Sequence, residues 1–112
     1  MITCTARMRF RPETVDTALA LFTDVIPATR AEPGCDFYEF YRDIEDPLVI
    51  MSVQRWDDLE ALIWHSTTPQ GRRVGEEMPA LTTETADIRV HVGARVLEWP
   101  LSDERKKELI GR

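Results

Sequence analysis

The sequence predicts an α+β fold in which helices cover one face of a four-stranded antiparallel sheet. Two segments alternate apolar and polar side chains and two more are rich in aromatic and β-branched residues, as strands are, while helical apolar stripes and N-cap patterns predict three helices. These segments follow one another in the order β-α-β-β-α-α-β. Because 112 residues suffice for one hydrophobic core and not for two, we predict one domain over residues 1–99 and a charged tail or short helix over residues 100–112.

The first strand and the first helix are separated by a change of period. Every second side chain of residues 2–10 is apolar, which is typical of a strand. From Pro12 to residue 26 the apolar side chains instead fall on one helical stripe. Pro27 lacks the backbone N–H that a helix interior requires, so we expect it to kink the helix or to end it near residue 26.

A hairpin of two antiparallel strands is expected next. Residues 32–35 read Glu-Pro-Gly-Cys, a turn in which Gly34 can take the positive φ of a type II turn. Residues 35–43 and 47–56 are rich in aromatic and β-branched side chains. The polar turn at 44–47 is short enough to join them as neighbours.

Two capping patterns predict a pair of short helices after the hairpin. Asp57 and Glu60 have the spacing of a capping box, which places a helix over residues 58–65. Thr68 and Pro69 are typical of an N-cap and a first helical residue, so a third helix should begin there.

The last strand is predicted over residues 85–99, where apolar side chains again occupy alternate positions. Gly93 lies inside this segment and indicates a β-bulge. From Ser102 the tail is highly charged and has the composition for one or two helical turns.

Charge and composition argue against several classes of function. The chain has 14 basic and 20 acidic residues, a net charge of −6, so we expect no nucleic-acid partner. No uncharged apolar run is long enough to span a bilayer, and the N-terminus lacks the apolar centre of a signal peptide. We therefore expect no membrane association and a cytoplasmic location. Cys4 and Cys35 are too few for a disulfide framework and are expected to be reduced.

The second face of the sheet needs a cover that the helices do not supply. Residues 37–41 and 48–53 are apolar at successive positions, which places large side chains on both faces. An identical sheet from a second copy would bury both open faces at once, so we predict a homodimer. The polar side chains of Thr3, Thr5 and Arg7 would then lie at the interface or line an internal cavity.

Residues 32–47 and 54–69 together resemble the antibiotic biosynthesis monooxygenase family. The shared features are a Pro-Gly turn, a Tyr-Glu-x-Tyr strand, an acidic-Pro turn, a strand-ending Trp and a His before Thr-Pro. In this chain they are Pro33, Gly34, Tyr38, Glu39, Tyr41, Asp46, Pro47, Trp56, His65, Thr68 and Pro69. The resemblance implies a ferredoxin-like protomer, a homodimer whose two sheets form a dimeric α+β barrel, and a pocket between the sheet and the helices of each protomer.

The resemblance also implies a range of activities. Members of the family include cofactor-free oxygenases of polycyclic phenols or quinols, haem-degrading oxygenases and an isomerase of a small signalling compound. The helix predicted from Pro69 contains no histidine, which argues against haem. His65 and His91 are too few for a zinc site, so we expect neither a metal nor a bound cofactor.

His65 is the candidate catalytic residue, because the resemblance makes it a pocket residue. A neutral imidazole can take the proton of a phenol and leave an electron-rich phenolate for O2. The alternative is a histidine at a helix C-terminus that is favoured only by the helix dipole. Gln54 stands where the family often has a glutamate, so one carboxylate partner for His65 is absent.

Four further residues are candidates for substrate binding. Trp56 and Trp64 have the rings to stack on a flat aromatic ligand, Tyr38 is expected to line the cavity if Tyr41 does not, and Arg72 has the charge to stabilise an oxyanion. Core packing for Trp56 and a solvated surface position for Arg72 are the alternatives. Gly71 replaces an aromatic residue common in the family, which either enlarges the pocket entrance or loosens the third helix.

These patterns lead to one functional prediction and two alternatives. The first is a cofactor-independent monooxygenase that oxidises an aromatic phenol or hydroquinone to a quinone with O2. The alternatives are a cofactor-free isomerase acting in the same pocket and a non-catalytic dimer that binds a small molecule.

Overall fold

The sheet contains four antiparallel strands. The computed structural model describes residues 1–93 and 96–111, and its strands are β1 (Ile2–Arg9), β2 (Cys35–Arg42), β3 (Val49–Trp56) and β4 (Asp87–Val92). They lie in the order β2-β3-β1-β4, so β1 and β3 are central and the hairpin partner β2 is at one edge. This topology confirms the α+β fold predicted from the sequence.

Four helices accompany the sheet: α1 (Val15–Arg30), α2 (Leu59–Thr67), α3 (Pro69–Leu81) and α4 (Asp103–Ile110). Helix α1 packs on β2 and α3, and α2 packs on α3 and β3. Helix α4 begins at the N-cap Ser102, whose side chain accepts a hydrogen bond from the Arg105 N–H, and none of its residues is buried. The tail is therefore helical as predicted but contributes nothing to the core.

The core lies between the sheet and α1. Alternate residues of β1 project toward the helices, as the sequence pattern predicts, and meet the apolar stripe of α1. The aromatic side chains of Phe22 and Phe40 stack here with ring centroids 4.2 Å apart. The buried members are Ile2, Ala6, Met8, Phe10, Val15, Ala18, Leu21, Phe22, Val25, Tyr38, Ile50 and Trp56.

Pro27 does not end helix α1 near residue 26, which was one of the two expectations; the helix continues to Arg30. Tertiary contacts hold its last turn despite the missing proline N–H. The Thr29 side chain is fully buried, and the Arg30 guanidinium Nε donates to the backbone carbonyl of Tyr38 at 3.1 Å. The final turn of α1 is thereby fixed against β2.

The N-cap of α2 is Asp58 and not Asp57. The Asp58 carboxylate accepts a hydrogen bond from the Ala61 N–H at 2.8 Å, whereas the Asp57 N–H donates to the carbonyl of Gly34 at 2.9 Å. Asp57 is thus bonded to the turn before β2, and α2 begins one residue later than predicted, at Leu59. At the next junction the predicted N-cap Thr68 is confirmed, because its hydroxyl accepts from the Gly71 N–H.

Strand β4 is shorter than predicted. It pairs only with β1, and its last residue Val92 lies opposite Ile2, the first residue of β1. No strand is formed by residues 96–99, since β1 offers no backbone beyond this point with which to pair. The part of the prediction that falls on residues 94 and 95 lies outside the described residues.

The face of the sheet turned away from the core carries a mixture of apolar and charged side chains. We call it the open face; it includes Arg7, Phe37, Met51, Val53 and Arg55, all half-buried or exposed. The Arg55 guanidinium lies 4.3 Å above the centre of the Phe37 ring. The sheet therefore has a second face, away from the core, on which Phe37, Met51 and Val53 leave apolar area uncovered.

Candidate functional site

A cavity of about 780 Å³ lies between the sheet and helices α2 and α3. Its wall is mostly apolar and is built by the helix-facing side chains of all four strands together with α1, α2 and α3. This volume lies within the range of small-molecule binding sites. The apolar lining includes Met8, Phe22, Phe40, Leu62, Val74 and Met78.

His65 lines this cavity from the last turn of α2. Its side chain is only 12% exposed. The imidazole lies against the indole of Trp56, with ring centroids 4.9 Å apart, and meets the edge of the Tyr38 ring at 5.6 Å. The histidine is therefore held by packing on two sides, which fits a positioned side chain better than a free helix end.

Glu32 provides the carboxylate partner of His65. Its side chain is 5% exposed, and one carboxylate oxygen lies 2.9 Å from the His65 Nδ1. The same oxygen accepts a hydrogen bond from the Gln70 side-chain amide at 2.9 Å. Because an ionised carboxylate only accepts hydrogen bonds, Nδ1–H is the donor to such a carboxylate, and in a neutral imidazole the lone pair then lies on Nε2.

Sequence reasoning missed Glu32 as a site residue. The family resemblance pointed to position 54 for a carboxylate partner of His65, and this chain has a glutamine there. Gln54 lines the cavity and accepts a hydrogen bond from the Trp56 indole N–H at 3.0 Å. Glu32 precedes the Pro-Gly turn and is 33 residues from His65, so no local spacing connects the two. The one hint in the sequence was the Pro-Gly turn that follows Glu32. In the structure the carbonyl of Gly34 in this turn accepts a hydrogen bond from the N–H of Asp57, just before α2, and so brings Glu32 close to that helix.

Tyr38 lines the cavity and is almost completely buried, whereas Tyr41 lies on the open face and is exposed. Burial raises the pKa of the Tyr38 hydroxyl to about 12. At neutral pH this side chain is consequently an uncharged phenol. Such a group is a potential hydrogen-bond donor in an otherwise apolar wall.

The other predicted binding residues occupy three different environments. Trp56 is fully buried beneath His65 and is not part of the cavity wall. Trp64 is 60% exposed, and Arg72 lies on the exposed side of α3; neither lines the cavity. The structure thus brings Tyr38, Trp56 and His65 together and leaves Trp64 and Arg72 at the surface.

The cavity wall carries little charge. Among the described residues that line it there is no lysine or arginine, and Glu84 stands at the exposed rim. Burial raises the pKa of the Cys4 thiol at the sheet floor, which favours its neutral form. The wall therefore suits an uncharged apolar ligand better than a carboxylate or a phosphate.

Residues 1–93 and 96–111 offer neither a metal-binding cluster nor a membrane-spanning helix. No group of three or more His, Cys, Asp or Glu side chains in this part of the chain is placed to hold a metal ion. No helix there is both long and apolar enough to cross a membrane.

The fold and the cavity define a small α+β protein with a buried histidine–glutamate pair in the wall of an apolar pocket. Residues 1–77 match the family model described as Antibiotic biosynthesis monooxygenase. The match covers more than half of the chain, so the protein belongs to this family. The resemblance inferred from the sequence motifs is thereby confirmed.

Solved structures with the same fold support this assignment. The crystal structure of an antibiotic biosynthesis monooxygenase is 25% identical to this chain, with a TM-score of 0.78 over 85% of this chain and 100% of that one. Rv0793 from Mycobacterium tuberculosis is also 25% identical, with a TM-score of 0.80 over 88% of this chain and 98% of its own.

A curated relative is the uncharacterized protein sll1783 of Synechocystis. It is 28% identical over 90 residues, which make up 80% of this chain. The chain spans 61% of the length of that relative.

Proposed function

We propose that this protein is a cofactor-independent monooxygenase that oxidises an aromatic phenol or hydroquinone to a quinone with O2. The observation that carries the proposal is His65, which lines an apolar cavity while its Nδ1 lies 2.9 Å from the buried Glu32 carboxylate. Membership of the antibiotic biosynthesis monooxygenase family supports the same class of reaction.

The first step is proton transfer from substrate to His65. An aromatic ring enters the cavity with its hydroxyl toward the imidazole, and Nε2 accepts the phenolic proton as a general base. The positive charge that forms on the ring is stabilised by the Glu32 carboxylate through Nδ1–H, as in other histidine–carboxylate pairs.

The second step is reaction of the phenolate with O2. The electron-rich ring reduces O2, one oxygen atom forms a new C–O bond with the ring, and the other leaves as water with two hydrogens that the substrate loses. The product is a quinone, and His65 returns its proton during the release of water. The substrate itself supplies the electrons, so the scheme invokes no metal and no bound cofactor.

The protein is proposed to act as a homodimer in the cytoplasm. The apolar side chains of the open face, among them Phe37, Met51 and Val53, are the observation that supports a second copy. Sedimentation analysis of Val53→Glu tests this, because a carboxylate beside Glu39 at the centre of that face should yield monomers. The exposed loop variant Glu45→Lys is the control, and dimers of both variants or monomers of the wild type would contradict the proposal.

Oxygen-dependent turnover is the direct test of the reaction. Naphthols and hydroquinones are incubated with the protein both in air and under anaerobic conditions, and quinone formation is followed by absorbance. His65→Ala is expected to reduce the rate by about 10²–10⁴-fold. His91→Ala, which removes the other histidine from an exposed position, should leave the rate nearly unchanged. Equal rates for wild type and His65→Ala would refute the role of His65.

The same proton-transfer pair also supports the isomerase alternative. A base with a buried carboxylate partner can move a proton between two carbon or oxygen atoms of a bound metabolite. Turnover that continues without O2 would favour this alternative over the monooxygenase. Binding of aromatic ligands with no conversion in either atmosphere would favour a non-catalytic binding protein.

A further inference from the structure

Gln70 ties helix α3 to the histidine–glutamate pair. It is the second residue of α3 and is half-buried, and its side-chain amide Nε2 donates to the Glu32 carboxylate at 2.9 Å. The oxygen that accepts, Oε2, is also the one that lies 2.9 Å from the His65 Nδ1. One carboxylate oxygen therefore meets a donor from α3 and a ring nitrogen from α2.

The junction between α2 and α3 brings Gln70 to this position. The Thr68 hydroxyl donates to the His65 carbonyl at 2.8 Å and accepts from the Gly71 N–H at 3.1 Å. A Cβ atom on Gly71 would lie 2.0 Å from the same carbonyl oxygen, so only glycine lets the first turn of α3 come this close. The replacement of an aromatic residue by Gly71 thus serves a tight α2–α3 junction rather than a loose helix.

Glu32 has few groups that could stabilise a negative charge. Its side chain is 5% exposed, and a buried carboxylate is unfavourable unless it is paired and hydrogen-bonded. Among the described residues, only the side chains of His65 and Gln70 hydrogen-bond to it, and no lysine or arginine lies within ion-pair distance. A neutral imidazole brings no positive charge. Gln70 is therefore one of the two side chains on which the ionised form depends.

The other ionisable groups near Glu32 do not neutralise its charge. Burial raises the pKa of the Tyr38 hydroxyl to about 12 and also raises the pKa of the Cys35 thiol, and the Glu32 carboxylate acts in the same direction on both. Both groups are uncharged at neutral pH, and neither gains a positive charge when it titrates.

The ionisation of Glu32 decides the tautomer of His65. An ionised carboxylate accepts from Nδ1–H and leaves the lone pair on Nε2, whereas a neutral carboxyl group can donate its own proton to Nδ1 and the ring then carries its hydrogen on Nε2. Only the first arrangement has a base on the side of the ring away from Glu32. A hydrogen bond from a neutral amide favours this arrangement, because an ionised oxygen is the stronger acceptor.

We propose that Gln70 is a positioning residue that keeps Glu32 ionised and thereby fixes the tautomer of His65 with an unprotonated Nε2. The inference rests on the proposed function for its effect on turnover, since the base in that scheme is Nε2. The tautomer itself is a property of the free protein and is measured without a substrate.

Nitrogen NMR of His65 in Gln70→Met and Gln70→Lys tests the proposal in the free protein, at a pH at which the imidazole is neutral. Methionine fills similar space without a donor and keeps water from replacing one, so Nε2 should become partly protonated and turnover should fall by about ten-fold or more. Lysine restores a donor, so Nε2 should stay unprotonated and turnover should remain within about three-fold of the wild type. Glu76→Met, an exposed change on the same helix outside the cavity, is the control and should alter neither.

A purely structural role for Gln70 predicts a different pattern. An unchanged tautomer in Gln70→Met, the same loss in Gln70→Met and Gln70→Lys, or a protonated Nε2 in the wild type would overturn the inference. Thermal melting checks that the variants are folded, and if Gln70→Met is not, Gln70→Leu decides the question. Because no substrate is present, the tautomer result stands even if no quinone is ever formed. Conversely, quinone formation by Gln70→Met at the wild-type rate would overturn only the role of Gln70.

Discussion

The two ends of the cavity differ in how firmly the fold holds them. At the inner end, the side chains of His65 and Glu32 are 12% and 5% exposed, and the imidazole packs against Trp56 and Tyr38. At the entrance, Ile88 and Val90 on the edge strand are 62% and 44% exposed. The fold thus fixes the histidine–glutamate pair and leaves the apolar side chains at the entrance with few contacts of their own. Substitutions at the two ends should therefore have very different consequences.

The largest difference is expected between two tryptophans. Trp56→Ala removes a fully buried ring from the inner end and should lower the free energy of unfolding by about 3–5 kcal/mol. Trp64→Ala removes a ring that is 60% exposed and should change it by no more than about 0.5 kcal/mol. Urea unfolding measures the free energy of unfolding of both variants, and a similar decrease in the two would contradict this prediction.

The second effect concerns the carboxylate at the inner end. Glu32→Gln weakens the acceptor for the His65 Nδ1–H and should reduce turnover by about 10²-fold, because the imidazole loses its fixed tautomer. Nitrogen NMR of His65 provides a readout that needs no activity: Nε2 should be unprotonated in the wild type and partly protonated in the variant. Glu84→Gln is the matched control at the exposed rim. An unchanged tautomer in Glu32→Gln would argue against a positioning role.

The third effect is a pH dependence that arises from Tyr38. Burial raises the pKa of this hydroxyl from 10.0 to about 12, so the folded protein holds the proton more tightly than the unfolded chain. Its contribution to stability is complete below pH 10 and is lost as the pH rises toward 12, by about 2–3 kcal/mol. Tyr38→Phe should show a correspondingly smaller loss over this range in urea unfolding. Tyr41, the other tyrosine, is present in both proteins, and identical pH profiles would contradict the prediction.

The smallest effect is expected at the entrance. Ile88→Ser exchanges an apolar side chain that is already mostly in solvent, so stability should change by no more than about 0.5 kcal/mol. Ile50→Ala, in the buried part of the same sheet, should cost about 2–5 kcal/mol by comparison. A large loss in Ile88→Ser would mean that the entrance is covered in solution, for instance by another copy of the chain.

Much of the fold was predictable because its signals are local. The alternation in residues 2–10 and the helical stripe that follows it depend on neighbours within one or two turns, and the structure has both elements. The Thr68 cap was predictable for the same reason. One prediction was wrong where a distant contact overrode a local signal: the Gly34 carbonyl accepts from the Asp57 N–H, and Asp58 is the N-cap of α2 instead. At Pro27 the sequence left open a kink or an end, and the helix continues to Arg30, whose side chain donates to β2.

The site was predictable only in part. The motif placed His65 in a pocket, and alternation placed Tyr38 and Tyr41 on opposite faces. Trp56 and Trp64 were both candidates for substrate binding, and only the folded chain shows that one ring is fully buried and the other 60% exposed. The pairing of Glu32 with His65 could not be predicted, because the two residues are 33 positions apart and meet only in the folded chain.

The sequence by itself determined the order of strands and helices and the two faces of β1, because periodicity and capping act between residues that are close along the chain. The class of protein followed from the resemblance of its motifs to a known family. Only the tertiary structure decided which carboxylate meets His65 and where β4 stops. Each of these depends on contacts between segments that are far apart in sequence, and such contacts exist only once the sheet and helices have packed together.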